Sequence, residues 1–187
     1  MTFLPRRILH VFATALALGF PGAAAAADGA TEGSPASSSN ESRLADRLLN
    51  LHVHIYGFSY HTDREGVRRN RVDNEVNLGL GLNYEFHEDA RGVAFVEAGT
   101  YRDSGRNNAK LAGVGYQFKV GERWRLGGAL AGVHSPTYNH GRSFIAPLPI
   151  VTYDLGPVKL NAIYVPRYGD YNRFAVFGLY FSIPFPK

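Results

Sequence analysis

From Val76 to Phe86 every second residue is large and apolar: Val76, Leu78, Leu80, Leu82, Tyr84 and Phe86, with Asn77, Gly79, Gly81, Asn83 and Glu85 between them. A sustained period of two predicts a strand with one apolar face and one small or polar face. The pattern recurs. Ala112, Val114, Tyr116 and Phe118 alternate with Gly113, Gly115 and Gln117, and Ala175, Phe177, Leu179, Phe181 and Ile183 close the chain. Eight segments carry it: 49–61, 74–87, 92–102, 109–119, 123–133, 149–155, 157–166 and 173–183. An even number of strands is what a bacterial single-chain membrane barrel has.

The connections alternate as well. Those at 87–92, 119–123 and 155–157 are short, whereas those at 62–73, 102–108, 134–148 and 167–172 are mostly longer and more polar. Short turns on one side and long loops on the other is the outer-membrane arrangement. Backbone groups in lipid must be paired internally, so a sheet placed there has to close. Tyr60, Phe86, Tyr101, Phe118, Trp124 and Tyr168 stand near strand ends, as an interfacial aromatic girdle requires. The expectation is an all-β chain, an eight-stranded antiparallel transmembrane β-barrel. A soluble eight-stranded barrel of lipocalin type is the alternative; the loop asymmetry, the aromatic last strand and the leader described next favour the outer membrane.

A mean hydropathy of −0.18 argues against a helical membrane protein but not against a barrel, whose alternating strands average near neutral. No segment of 18 consecutive apolar residues occurs. Residues 1–27 read as a secretory signal peptide. Arg6 and Arg7 give the positive start, Ile8 to Phe20 the apolar core, and Ala23 to Ala27 the small residues for cleavage. Residues 28–42, rich in Gly, Ser, Ala and Thr, read as a disordered linker, and 43–187 as the barrel domain. Leu44, Leu48, Leu49 and Leu51, with Arg43, Asp46 and Arg47 among them, fit either a short amphipathic helix on a membrane surface or a ragged start to the first strand.

The formal charge is +4. Without the two leader arginines it is +2, too weak a balance to point to nucleic acid. Cysteine is absent, which excludes disulfides, thiolate zinc sites and cysteine nucleophiles. No metal-ligand spacing is recognisable around His134 and His140.

Titratable residues that point inward near the long loops are the candidates for chemistry, because a small barrel encloses packed side chains or one small ligand. Strict alternation puts His52, His54, Tyr56, Phe58 and Tyr60 on the inner face and leaves His61 at the rim with the other parity. Strands one and three run toward the same end, where Tyr101-Arg102-Asp103-Ser104 enters a long loop. Histidine as general base, with serine as nucleophile or polarising donor, can perform acyl transfer there. Ordinary lumen and loop residues are the plainer reading of the same set. No Gly-x-Ser-x-Gly elbow is present.

Tyr101-Arg102-Asp103-Ser104 and Leu111-Ala112-Gly113-Val114-Gly115-Tyr116 are followed by Pro147-Leu148-Pro149, Gly156-Pro157-Val158 and Tyr164-Val165-Pro166. With the aromatic final strand, these segments make the chain similar, over about 49–183, to the outer-membrane lipid A palmitoyltransferase family (PagP). The resemblance implies an integral protein of the bacterial outer membrane. It would move a palmitoyl chain from a phospholipid to lipid A, working as a monomer among outer-membrane lipids without metal or cofactor. It implies Asp103 and Ser104 as catalytic residues, with His54 as their histidine, His61 second and His52 third. Pro147, Pro149 and Pro166 match the family's lipid gateway between strands six and seven, where proline removes ladder donors. The prolines of the other gateway, beside strands one and two, are missing. The family's aromatic first loop is replaced by Arg64, Arg68, Arg69 and Arg71, of which the first three are candidates for contact with lipid A phosphates; a solvated basic loop is the equal alternative. A glycine-lined lumen (Gly79, Gly81, Gly113, Gly115) would hold the acyl chain. Non-enzymatic lipid binding and a lipid A deacylase or phospholipase activity are the rival expectations.

Overall fold

A computed structural model describes residues 50–169 and 171–185. The signal peptide at 1–27, the linker at 28–42 and the amphipathic helix expected before Leu51 lie outside the described residues. Eight strands follow: β1 (Leu51–His61), β2 (Val76–Glu88), β3 (Gly92–Arg102), β4 (Asn108–Val120), β5 (Trp124–His134), β6 (Phe144–Asp154), β7 (Lys159–Val165) and β8 (Val176–Pro184). Each pairs antiparallel with its chain neighbour, and β1 pairs with β8 to close the barrel. Tight turns join the strands at one end. The connections 62–75, 103–107, 135–143 and 166–175 gather at the other, the loop end.

The alternation sorts as its period predicts. Leu78 (63% exposed), Leu80 (61%), Phe118, Leu126, Leu130 and Phe177 point outward. Such a continuous apolar belt is foreign to a water-soluble surface and matched to hydrocarbon. Of the expected girdle residues, Tyr60, Phe86, Phe118, Trp124 and Tyr168 are exposed. Tyr101 is not; its ring packs inside the lumen against Tyr56.

Three local departures from strict alternation shape the interior. First, β1 carries an extra residue at Gly57 relative to β8, since Tyr56 pairs with Tyr180 but Phe58 with Leu179. Such a bulge reverses parity beyond it. Phe58 and Tyr60, expected inside, are therefore exposed, and His61, expected at the rim, is buried. Second, β6 begins at Phe144 rather than 149 and runs straight through Pro147 and Pro149. Its ladder to β5 is unbroken there, so the missing N–H donors face β7, where pairing begins only at Ile150 with Ile163. Phe144 to Pro149 is thus a free edge in the barrel wall, a position that tolerates proline. By contrast β1 and β2 are paired from Leu51 to Phe58. Third, the first long connection contains a helical turn, α1 (Arg64–Arg69), started by the Asp63 carboxylate accepting from Gly66 N–H at 2.7 Å. This is a standard N-cap.

Inside, the two halves differ. Toward the turn end the lumen is filled with hydrogen-bonded polar groups. Glu85 accepts from Arg125 and Lys159, each at 2.9 Å, and a chain runs from Gln117 through Thr152 and Asn161 to Ser182, each link 2.7 Å. A layer of Tyr56, Tyr101 and Tyr180 lies above. The lumen glycines are not open space. Tyr56 occupies the room beside Gly81 and Gly99, Phe95 that beside Gly115, and backbone or Cβ atoms of Tyr101 and Ala131 press on Gly79 and Gly113. The free space of the lumen lies instead between the tyrosine layer and the loop end.

Candidate active site at the loop end

The bulge at Gly57 makes the site. It turns the His61 imidazole inward, where Nε2 lies 3.0 Å from the Ser104 hydroxyl, both side chains buried. A serine within hydrogen-bond reach of an imidazole nitrogen has the geometry a nucleophile needs beside a base. His54, expected in that role, is elsewhere. It sits deeper in the lumen against Tyr180 and Tyr56, with Nδ1 3.5 Å from Glu97. His52 lies deeper still, 3.2 Å from Lys159 Nζ and beside Glu85.

Ser104 is presented by a loop built on its neighbour. The Asp103 carboxylate accepts from Gly105 N–H (2.9 Å), Asn107 N–H (2.8 Å) and the Ser135 hydroxyl. Asp103 N–H donates back to Asn107 O at 2.8 Å. With no exposure at all, this carboxylate braces the turn from within and does not reach the histidine. The loop is tied to the start of β2: Asn74 N–H donates to Ser104 O (3.1 Å), and its side-chain amide to Asp103 O (2.9 Å). Arg106 reaches Asp73 at 3.1 Å, and that hydrogen bond holds the Asp73 carboxyl below its ordinary range.

The carboxylate near His61 is Glu75. Its Oε1 is 3.8 Å from His61 Nδ1 and accepts from His61 N–H (3.4 Å) and Arg64 (3.1 Å). Tyr138, from the loop after β5, lies beside Ser104; burial pushes its phenol up, so it stays protonated and can donate. The helix α1 packs over this corner through buried Val67, with Gly66 pressed against Phe174.

Ser104 and Tyr138 border two cavities. One is apolar and descends toward the tyrosine layer between Leu111, Val133, Ala146, Leu148 and Val165. The other opens outward and is lined by Asn70, Thr137, Asn139, His140 and Arg173, with no carboxylate among the described residues of its wall. Pro147 and Pro149 border the free edge of β6, and Pro166 follows the end of β7, so the three flank one gap in the wall.

Of the three arginines expected to meet phosphate, Arg64 is engaged with Glu75 and stacked over Tyr60 (5.4 Å to the ring centroid). Arg69 faces Glu65 at 3.6 Å. Arg68 is exposed and has no ion pair among the described residues. No group of three or more His, Asp or Glu among the described residues is arranged to hold a metal.

Sequence reasoning missed Glu75, Tyr138 and Ser135. Glu75 stands where a loop becomes a strand, and Tyr138 and Ser135 lie in a loop whose path no periodicity reveals. Their one shared signal is clustering at the connections of the loop end.

No family model matches the chain, and no curated protein matches it. Among solved structures it is similar to the Yersinia pestis outer membrane protein Ail in a phospholipid bilayer nanodisc. The identity is 13%, covering 72% of this chain and 99% of that one, with a TM-score of 0.43.

Proposed function

We propose that the protein is an integral outer-membrane acyltransferase that moves a fatty acyl chain from a phospholipid to lipid A, using Ser104 and His61. One observation carries this reading: the buried 3.0 Å contact between Ser104 Oγ and His61 Nε2 sits between an apolar cavity and a polar, outward-opening one. An acyl ester divides the same way. Its chain belongs in the apolar cavity, its headgroup outside, and its carbonyl where the two meet. The exposed apolar belt supports placement in a membrane. The free β6 edge beside Pro147, Pro149 and Pro166 supports sideways entry of the donor from the bilayer.

In the proposed reaction Ser104 Oγ attacks the donor carbonyl while its proton passes to His61 Nε2. The Tyr138 phenol donates to the developing oxyanion. The tetrahedral adduct collapses with cleavage of the ester C–O bond. The lysophospholipid alkoxide takes the proton from His61 and leaves an acyl-serine. A hydroxyl of lipid A, entering from the polar side, gives its proton to His61 as it attacks the acyl carbon. That proton returns to Ser104 as the product departs. The chain that enters is bounded by the layer of Tyr56, Tyr101 and Tyr180.

The test is reconstitution of the folded barrel in vesicles of phospholipid and lipid A, with mass spectrometry of the products. Lipid A gaining one acyl mass and an equal yield of lysophospholipid is the expected result, with neither product from Ser104→Ala or His61→Ala. A folded wild type that produces no acylated lipid A would sink the reading. Free fatty acid in its place would make water the acceptor and the protein a deacylase or phospholipase.

A further inference from the structure

We infer that Glu75, rather than Asp103, is the carboxylate that positions His61, so that the working set is Ser104, His61 and Glu75. The inference rests on the proposed acyl transfer but goes beyond it, because it reassigns the acid on which the base depends.

If His61 Nε2 accepts the Ser104 proton, Nδ1 carries the ring's own hydrogen. That nitrogen is buried and has no hydrogen-bond partner among the described residues. An unpaired buried donor is costly, and the nearest carboxylate among the described residues can relieve it. Glu75 Oε1 stands 3.8 Å from Nδ1, one small rotamer adjustment from a hydrogen bond. The charged groups that face His61 are Glu75, Arg64 and Asp73. Arg64 brings no acceptor, and Asp73 is held by Arg106.

Asp103 is excluded by its own bonds. Both carboxylate oxygens are committed: Oδ1 accepts two main-chain N–H groups and Oδ2 accepts the Ser135 hydroxyl. Turning it toward His61 would strip the loop that presents Ser104. Glu75 does not brace that loop from within: its Oε1 accepts from Arg64 and from the main-chain N–H of His61 itself. It also sits next to Asn74, which holds the Ser104 main chain. One dipeptide therefore fixes both the nucleophile's backbone and the base's ring. Glu75 touches neither substrate nor reacting atoms, so it is a positioning residue.

The test has two arms on the full chain in detergent or vesicles. In the first, Glu75→Ala is expected to lower kcat on the order of a hundredfold, the scale of one correctly poised base, with KM for the donor unchanged. Glu75→Asp should restore part of that loss. In the second arm no substrate is present. Proton NMR of 15N-histidine-labelled protein should show a downfield His61 Nδ1–H signal in the wild type. Glu75→Ala should move it upfield, and Asp103→Asn should leave it in place. Should Asp103→Asn not fold, Ser135→Ala takes its place, since it removes one partner of the same carboxylate. Retained kcat in Glu75→Ala, or a signal that follows Asp103 instead, overturns the inference. A wild type without acyl transfer but with the Glu75-dependent signal overturns the proposed function alone.

Discussion

The two halves of the lumen contain the same kinds of residue and do opposite things with them. Toward the turn end, His52, His54, Glu85 and Glu97 are packed among partners or aromatic rings, and the space around them is filled. At the loop end, His61 and Glu75 meet a serine where two cavities join. A buried imidazole beside a carboxylate is therefore not the mark of the site; an adjacent hydroxyl with room for a substrate is. His54, packed against Tyr56 and Tyr180 with Glu97 at 3.5 Å, lines neither of those cavities.

The sharpest way to break this contrast is to exchange the histidines' fates. His61→Phe is expected to lower acyl transfer by more than about a hundredfold, the lower bound for losing a general base. His54→Phe fits against Tyr56 and Tyr180 and should leave the rate of the folded protein within about twofold, as a change remote from the reacting groups does. Equal losses in the two variants, measured on barrel whose folding is verified, would remove the distinction between the halves.

The same pair shows how far the amino-acid order could be followed. The alternation in β2, β3, β4, β5 and β8 predicts those strands to within a few residues, because a period of two repeated along a long strand leaves little freedom. It failed where one residue broke the count. A lone glycine inside a strand is a weak sign of a bulge, yet Gly57 reverses parity beyond Tyr56, which turns His61 inward while His54 keeps the inward place expected of it. The start of β6 was misjudged for a related reason. Proline argues against a strand interior, and only the absence of a β7 partner makes Pro147 and Pro149 admissible there. Asp103 and Ser104 are at the site, but the bracing role of Asp103 depends on Ser135 from a distant loop, which no local pattern connects to it.

The turn-end half should reveal itself through stability rather than rate. Glu85→Ala leaves the largely buried Lys159 without a carboxylate partner among the described residues, and leaves Arg125 only Glu88 at 3.6 Å. Breaking a buried pair from one side costs about 3–5 kcal/mol. Urea unfolding in detergent should show a loss of that order, while acyl transfer per folded molecule stays near the wild-type value. A large fall in specific activity without a change in unfolding midpoint would mean that the polar half takes part in the chemistry.

A smaller effect is expected at the wall. In register, the position after the Ile150–Ile163 pair sets Pro149 opposite Tyr164. Pro149→Ala restores an N–H on the side facing β7, allowing the ladder to extend and the gap to narrow. Transfer from phospholipid embedded in vesicles should slow severalfold, while a short-chain ester soluble in water, which need not enter sideways, should react at the wild-type rate. If both substrates slow equally, the gap is not the route of entry.

The least change is expected from the arginines of the first loop, and there the two halves of one helical turn can be compared. Arg64 holds Glu75 at 3.1 Å and stacks on Tyr60, whereas Arg68 is exposed and has no ion-pair partner among the described residues. An arginine meeting a lipid A phosphate must have its donors free, so Arg68 fits that task better than Arg64. Arg68→Ala should raise KM for lipid A a few-fold with kcat unchanged. Arg64→Ala should alter kcat instead, since it releases the carboxylate that faces His61. A rise in KM from Arg64→Ala with none from Arg68→Ala would assign phosphate contact to the arginine already engaged, and would require Glu75 to let go of it when the acceptor binds.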